Sequence, residues 1–359
     1  MWKKFVLPAR PLFDKVAALC VAIEATTGKL EWSRELTIEY FNAQDQQPGK
    51  DNLARWEQEG AYLIDLGPNQ YRLRGKGSAC GVVVEDSGAD LNTRGDLKRL
   101  VEITDRNNQT GFLKGFGSLY NAPYLLRELY KPGSFTRMET TVEAAAHVVF
   151  TDLRFRNMRH TGNFPRHAGD GFVKTNLEIM KVTSAEDPFT MGRYMMQMYC
   201  LGDELAWIQS RIEFWNTAKK RAESADLKAR QTAREIVDMR QVRNYKVAVI
   251  HTNDDRAARA LFVGEHKPTF VVARRLDSGA VVILTNRERH NPALRTSMRR
   301  LTEKLEETEA GSWMFNEPMI ASMNRGGTAT RRTVDEIVAL IGDTARVVDT
   351  MENTSRMRQ

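Results

Sequence analysis

Ala61-Tyr62-Leu63-Ile64-Asp65-Leu66-Gly67-Pro68-Asn69, followed closely by Tyr71-Arg72-Leu73-Arg74-Gly75-Lys76-Gly77-Ser78, decides how the first half of this chain folds. The apolar run from Ala61 to Leu66, closed by Gly67-Pro68-Asn69, reads as a buried strand ending in a turn. The glycine-rich turn after it leads into Cys80–Val84, the beginning of a helix. Upstream, Val16, Leu19, Cys20 and Ile23 recur at helical spacing within 15–25, and another helix spans 96–104. Strand alternating with helix across residues 1–150 predicts an α/β unit with a largely parallel sheet. Such a sheet gathers ligands at the carboxyl ends of its strands, where Asp65 and the turn after it lie.

Ile64-Asp65-Leu66-Gly67 and Tyr71-Arg72-Leu73-Arg74-Gly75-Lys76-Gly77 together resemble the metal-binding segment of the DHH-type phosphoesterases. In that family the second stretch reads Phe-Asp-His-His-Gly; here Arg72-Leu73-Arg74 stand at the Asp-His-His triplet. The stretch from Pro8 to Ala18 is similar to the family's opening motif, His-x-x-x-Asp-x-Asp and a small-residue helix. Pro8 replaces the His and Leu12 the first Asp, so only Asp14 matches. Leu97-Lys98-Arg99-Leu100-Val101-Glu102 and then Asp105-Arg106-Asn107-Asn108 are similar to a helix ending in Arg-Arg-Asp-Asp, with the acidic pair changed to Asn107 and Asn108. Met323-Asn324-Arg325-Gly326-Gly327-Thr328 is similar to the glycine-rich turn of the associated substrate domain. The resemblance implies a bilobed α/β protein whose relatives hydrolyse phosphoesters with two metal ions.

The departures remove that chemistry. A hard dication needs carboxylate or neutral imidazole ligands, and a guanidinium supplies neither. Asp14 and Asp65 remain as weak metal candidates, but two carboxylates and two amides do not make a two-metal clamp. We therefore expect no cofactor and no tightly held metal. The competing expectation is a metal-dependent phosphodiesterase or exonuclease that retains one Mn²⁺ or Mg²⁺ on Asp14, Asp65 and Asp105. A plainer use of the same residues is structural, with Asp14 capping the helix near Lys15 and Asp65 ending a strand in a turn.

Cations stand where ligands were lost. Gly75-Lys76-Gly77-Ser78 lies between a turn and a helix start, where backbone amides can cradle a phosphate, although the Walker spacing is absent. Arg72, Arg74, Lys76, Gly77 and Ser78, joined by Arg325, Gly326 and Gly327, are the candidate phosphate-binding residues, since guanidinium groups hold phosphate bidentately. The bland alternative is a turn that needs glycines, with its arginines in water. The expectation is a protein that has kept the phosphoesterase framework and binds a nucleic acid or nucleotide phosphate without cleaving it. A structural or assembly subunit is the third reading.

Composition sets the class. The chain has 359 residues, 42% hydrophobic and 28% charged, as in globular proteins, and is long enough for two domains. Its net charge of +7 is uneven: residues 1–150 hold 19 basic and 19 acidic residues, while 151–359 hold 34 and 27. A polyanionic partner is thus expected on the second half. Cys20, Cys80 and Cys200 have no paired spacing, which suits a reducing compartment, and Cys20 and Cys80, in apolar helix-like stretches, are expected in the core. No apolar run reaches the ~20 residues of a membrane span. Charges at Arg10, Asp14 and Lys15 interrupt the apolar start too soon for a signal peptide, so a cytoplasmic location is expected.

The rest of the chain divides as follows. Residues 151–188 are rich in Arg, His, Gly and Pro and read as a basic loop or lid. Tyr194, Met198, Leu201, Leu205, Ile208, Ile212 and Trp215 alternate by four and three, the spacing of a helix seam. That seam either packs within the chain or, through 194–215, self-associates. The segment 151–245 is read as this loop and a long connecting helix. Residues 246–345 form a smaller C-terminal α/β domain, with strands at 247–250, 270–273 and 280–284, a hairpin at Asp277-Ser278-Gly279, and helices at 292–307 and 334–341. Residues 346–359 read as a polar tail.

Overall fold

The computed structural model describes residues 2–9, 11–41, 48–111, 113, 115–126, 135–161, 189–263, 265–285, 292–309, 313–316, 319–322 and 330–344. It divides into two compact units, Met1–Glu223 and Ser224–Gln359.

The first unit is built on three parallel strands, β1 (Lys4–Pro8), β2 (Thr37–Phe41) and β3 (Ala61–Leu63), in the order β2-β1-β3. β1 is central, and Phe5, Val6 and Leu7 are all fully buried because both faces of the sheet are covered. On one face lies α1 (Phe13–Thr27), packed by α3 (Ala79–Asp86), α4 (Gly95–Thr110) and α6 (Phe135–Thr161). On the other, Trp56 of α2 (Lys50–Gln58) packs against Val6, Leu63 and Leu66. Alanines at 17, 18 and 22 let α1 be buried almost all round, since small side chains admit neighbours closely. α5 (Ala122–Leu126) adds Leu125 and Leu126 to the same core.

β1 and β2 are elements that sequence periodicity did not announce. Phe5-Val6-Leu7 reads as part of a leader-like start, yet β1 is the strand on which the sheet is centred. The segment 151–161 is a correction as well: it is the end of α6, and the boundary expected at residue 150 falls inside that helix. The remainder of the supposed lid, 162–188, lies outside the described residues.

The expected seam is broken. One helix ends at Cys200 and the next runs Leu205–Ile236, with Gly202 between them at φ 90°. Glycine takes this left-handed backbone without a Cβ clash, and the amides of Leu201, Gly202 and Asp203 turn back onto the carbonyls of Gln197, Tyr199 and Met198. Tyr194, Met198, Ile208 and Trp215 belong to the core of their own unit, whereas Leu205 is 59% exposed. Leu205 is therefore no seam residue. The helix Leu205–Ile236 is the long connection expected, with Trp215 and Ala222 in the first unit's core and Ala229 and Ala233 in a core of the second.

The second unit holds a six-stranded sheet ordered β4-β5-β6-β7-β9-β8. Its strands are β4 (Asp238–Val242), β5 (Tyr245–His251), β6 (Phe270–Arg274), β7 (Val281–Thr285), β8 (Trp313–Asn316) and β9 (Met319–Ser322). Only β5 and β6 pair in parallel; the other pairings are antiparallel, including the hairpin expected between β6 and β7. Alternate residues point to opposite faces. Val247, Val249, Phe270, Val272 and Ile283 meet Leu301 and Ile337 of the helices Pro292–Glu306 and 334–344, while Ala248, Ile250, Val271 and Ala273 pack with Ala257 and Leu261.

Candidate functional site

Asp14 lies in the first turn of α1, just after β1, and Asp65 follows β3, so the parallel sheet presents both carboxylates at strand carboxyl ends. Asp14 is not the helix cap: that position is Leu12, which offers no side-chain cap bond. Its carboxylate is instead 1% exposed and receives a charge from its neighbour in sequence.

That neighbour is the decisive residue. Lys15 Nζ donates to both oxygens of Asp14 at 3.1 Å and lies 2.9 Å from Asp65 Oδ2. It also stands over the Tyr71 ring, 5.7 Å from its centroid. Burial alone would lower the pKa of this ammonium, but the carboxylates of Asp14 and Asp65 outweigh it and hold the pKa above the ordinary lysine value. A permanent cation thus sits between the two carboxylates that the sequence offers as metal ligands.

The surroundings are fitted to this arrangement. Asp65 has φ 55°, unusual for a residue with a side chain, and its Oδ1 accepts the Tyr71 amide at 3.2 Å. Asn108 Nδ2 donates to Asp14 Oδ2 and to the Gly77 carbonyl, both at 3.2 Å. An aspartate at 108 would set a second carboxylate against Asp14, whereas an amide supplies a donor. Asn107 Oδ1 accepts from the Leu113 amide and so serves the loop after α4.

Asp105 approaches from α4. A Cβ on Gly77 would lie 2.5 Å from Asp105 Cγ, so glycine is needed there for close approach rather than for an unusual φ. One oxygen of Asp105, Oδ1, is buried without a hydrogen-bond partner. The Cys80 thiol is pushed up, first by burial and then by the charges of Asp14 and Asp105. Gly77→Ala is expected to cost about 1–2 kcal/mol by forcing Asp105 aside. Gly117→Ala, with open space at its Cβ, should leave the urea midpoint unchanged. Equal midpoints for the two variants would show that Asp105 yields freely.

The basic turn is already engaged. Arg74 Nη2 lies 2.9 Å from Glu85 and 2.8 Å from Asp86, and Lys76 lies 3.0 Å from Glu85, all at the end of α3. Arg72 Nε donates to the Tyr71 hydroxyl at 3.1 Å and its guanidinium covers that ring at 5.5 Å. Ser78 caps α3, accepting from the Gly81 amide at 3.2 Å and bonding Thr104 Oγ1 at 3.0 Å. Arg325, Gly326 and Gly327 lie outside the described residues. Sequence reading named Asp14, Asp65 and Asp105 but missed Lys15, whose only signal was a charge beside Asp14 in an otherwise apolar helix.

The residues do not fit the metals of the resembled family. Lys15 holds the carboxylate pair, and among the described residues no three His, Cys, Asp or Glu form a group that could hold a metal ion. Among the described residues no helix is long and apolar enough to cross a membrane.

No protein-family model and no curated protein matches the sequence. Among solved structures, the chain is similar to a DHH domain protein described as a member of a family of ribosomal proteins. That similarity has 10% identity and a TM-score of 0.41, over 95% of this chain and 86% of that one. An uncharacterized protein from Helicobacter pylori G27 is similar at 9% identity and a TM-score of 0.25, over 96% and 100% of the two chains.

Proposed function

We propose that this protein binds a nucleic acid or nucleotide phosphate and does not hydrolyse it. One observation carries the reading: Lys15 Nζ bridges Asp14 and Asp65 at 3.1 and 2.9 Å. Two-metal hydrolysis needs those carboxylates for cations that activate water and hold the leaving oxygen. An ammonium neutralises them but offers no open coordination position. The cations that line the neighbouring turn supply the affinity instead. Arg72 is exposed beside Tyr71, and Arg74 and Lys76 can exchange their solvent-exposed carboxylate partners for phosphate oxygens. The hydrolase reading, with one metal on Asp14, Asp65 and Asp105, requires Lys15 to leave its pocket.

Calorimetry with Mn²⁺ and with short single-stranded oligonucleotides tests both halves. No micromolar Mn²⁺ site and no manganese-dependent release of mononucleotides is expected. Oligonucleotide affinity should fall as salt rises, because phosphate contacts release counterions. Arg72→Ala combined with Arg74→Ala should weaken it roughly ten- to a hundredfold, the loss expected for charge-assisted contacts. Stoichiometric Mn²⁺ binding that disappears in Asp14→Ala would return the protein to the hydrolases. Undiminished binding in the double variant would reduce the basic turn to scaffold.

A further inference from the structure

A second basic site lies elsewhere in the first unit. A cavity of about 320 Å³ is formed where the start of α4 meets the end of α6 and the helix Met191–Cys200. Four arginines line it, Arg94, Arg156, Arg159 and Arg193, with the buried Phe155 as an apolar wall and Asp96 as a carboxylate.

Two of the four are spoken for. Arg94 Nη2 lies 2.7 Å from Glu24 and 2.9 Å from Asp96. Arg156 Nε lies 2.6 Å from Asp152, which is 2% exposed and also accepts from Gln197 at 2.6 Å. The other two have no ion pair among the described residues. Arg159 is exposed, and the Nε of Arg193 is buried without a hydrogen-bond partner. Burial lowers the pKa of Arg193; Asp152 works against that, while Arg156, Arg159 and Arg99 add to it. An unpaired, part-buried guanidinium costs free energy that an anion would recover.

We infer that this cavity is a binding site for a phosphomonoester, held by Arg159 and Arg193. A terminal phosphate carries about 1.5 to 2 negative charges near neutral pH, which matches two guanidinium groups that have no ion pair among the described residues. Phosphodiesters within a strand carry one each and match less well. Bidentate guanidinium–phosphate bonds suit the planar groups available, and the uncapped first turn of α4 adds backbone donors. The volume is at the small end of ligand pockets, so it takes a phosphate with a modest organic group rather than a duplex. The phosphate belongs either to a free monoester or to a 5′ end of a nucleic acid. The inference goes beyond the function proposed above, since it uses none of the residues around Lys15.

Calorimetry on the full chain with adenosine 5′-monophosphate, and with one short oligonucleotide bearing either a 5′-phosphate or a 5′-hydroxyl, tests it. Adenosine 5′-monophosphate should bind, with affinity reduced at least about tenfold in Arg159→Ala and further in Arg159→Glu. Arg193→Gln should weaken it similarly, while binding of the 5′-hydroxyl oligonucleotide should be the same in Arg159→Ala as in the parent, which separates this site from the other. Arg159 is exposed, so its variants should keep the parent's unfolding midpoint. A 5′-phosphate that tightens oligonucleotide binding beyond the monoester identifies a nucleic-acid end as the source; equal binding of both oligonucleotides identifies the free monoester. No monoester binding, or binding unchanged in Arg159→Glu, would overturn the site.

Discussion

Lys15→Met is expected to destabilise the protein by about 3–5 kcal/mol, the cost of leaving a buried charge without its partner. Methionine keeps the length and apolar stem of the side chain, so the loss isolates the ammonium. Asp14, 1% exposed, would retain the Asn108 amide as its donor, and Asp65 would face it with no cation between them. Urea unfolding measures the cost. Adding Asp65→Asn to Lys15→Met should return a substantial part of it, because the second change removes the repulsion that the first exposes. A loss under about 1 kcal/mol would place Lys15 among ordinary surface pairs. So would strictly additive effects of the two changes. The pH dependence has a fixed sign. A lysine whose folded pKa is raised contributes fully below its unfolded value of about 10.4 and loses that contribution as pH rises through the folded value. Lys15→Met should therefore flatten the alkaline limb of the stability profile, to which buried Tyr40 and Cys20 also contribute.

The acid limb of the same profile is expected to depend in good part on His147. This residue lies on α6, with Nδ1 2.6 Å from the Tyr194 hydroxyl and 3.4 Å from Thr151 Oγ1. Its ring meets Trp207 edge-on, and Arg211 stacks over Trp207 at 4.1 Å. Burial lowers its pKa from 6.5 to about 4, with Arg211 and Arg154 adding repulsion. The folded state thus resists a proton that the unfolded chain accepts. Stability is present above the unfolded pKa and is lost as pH falls through the window from 6.5 to about 4. That difference corresponds to roughly 3 kcal/mol in full. His147→Gln, which does not titrate but can still bond Tyr194, should lose much less between pH ~7 and pH ~4.5 in urea titrations. Parallel acid limbs for the parent and the variant would clear His147 of that role.

Both predictions rest on residues that sequence patterns did not single out, and the reason is the same. Helices α1, α3 and α4 were legible because apolar spacing and glycine or serine boundaries are local signals. So were β5, β6 and β7, whose Val- and Ile-rich runs are bounded by turns. β1 escaped because Phe5-Val6-Leu7 lies in a leader-like start, and β2 because Thr37-Ile38-Glu39-Tyr40-Phe41 is interrupted by a charge and has no Gly or Pro bounding it. The seam failed at Gly202, where one glycine ended a helix that the heptad spacing ran straight through.

By itself the sequence determined the α/β class, the long connection between two units and the positions of the carboxylates Asp14, Asp65 and Asp105. These follow from composition and short-range spacing. Only the tertiary structure decided what the carboxylates do. Lys15 reaches Asp65 because β1 and β3 pair in parallel and bring two distant turns to one edge of the sheet. The partners of Arg74 and Lys76 on α3, and the lack of any for Arg159 and Arg193 among the described residues, were settled the same way. Secondary structure is written in near neighbours. Charge pairing acts over a few ångströms of space, and which residues share that space is fixed only when the chain has packed.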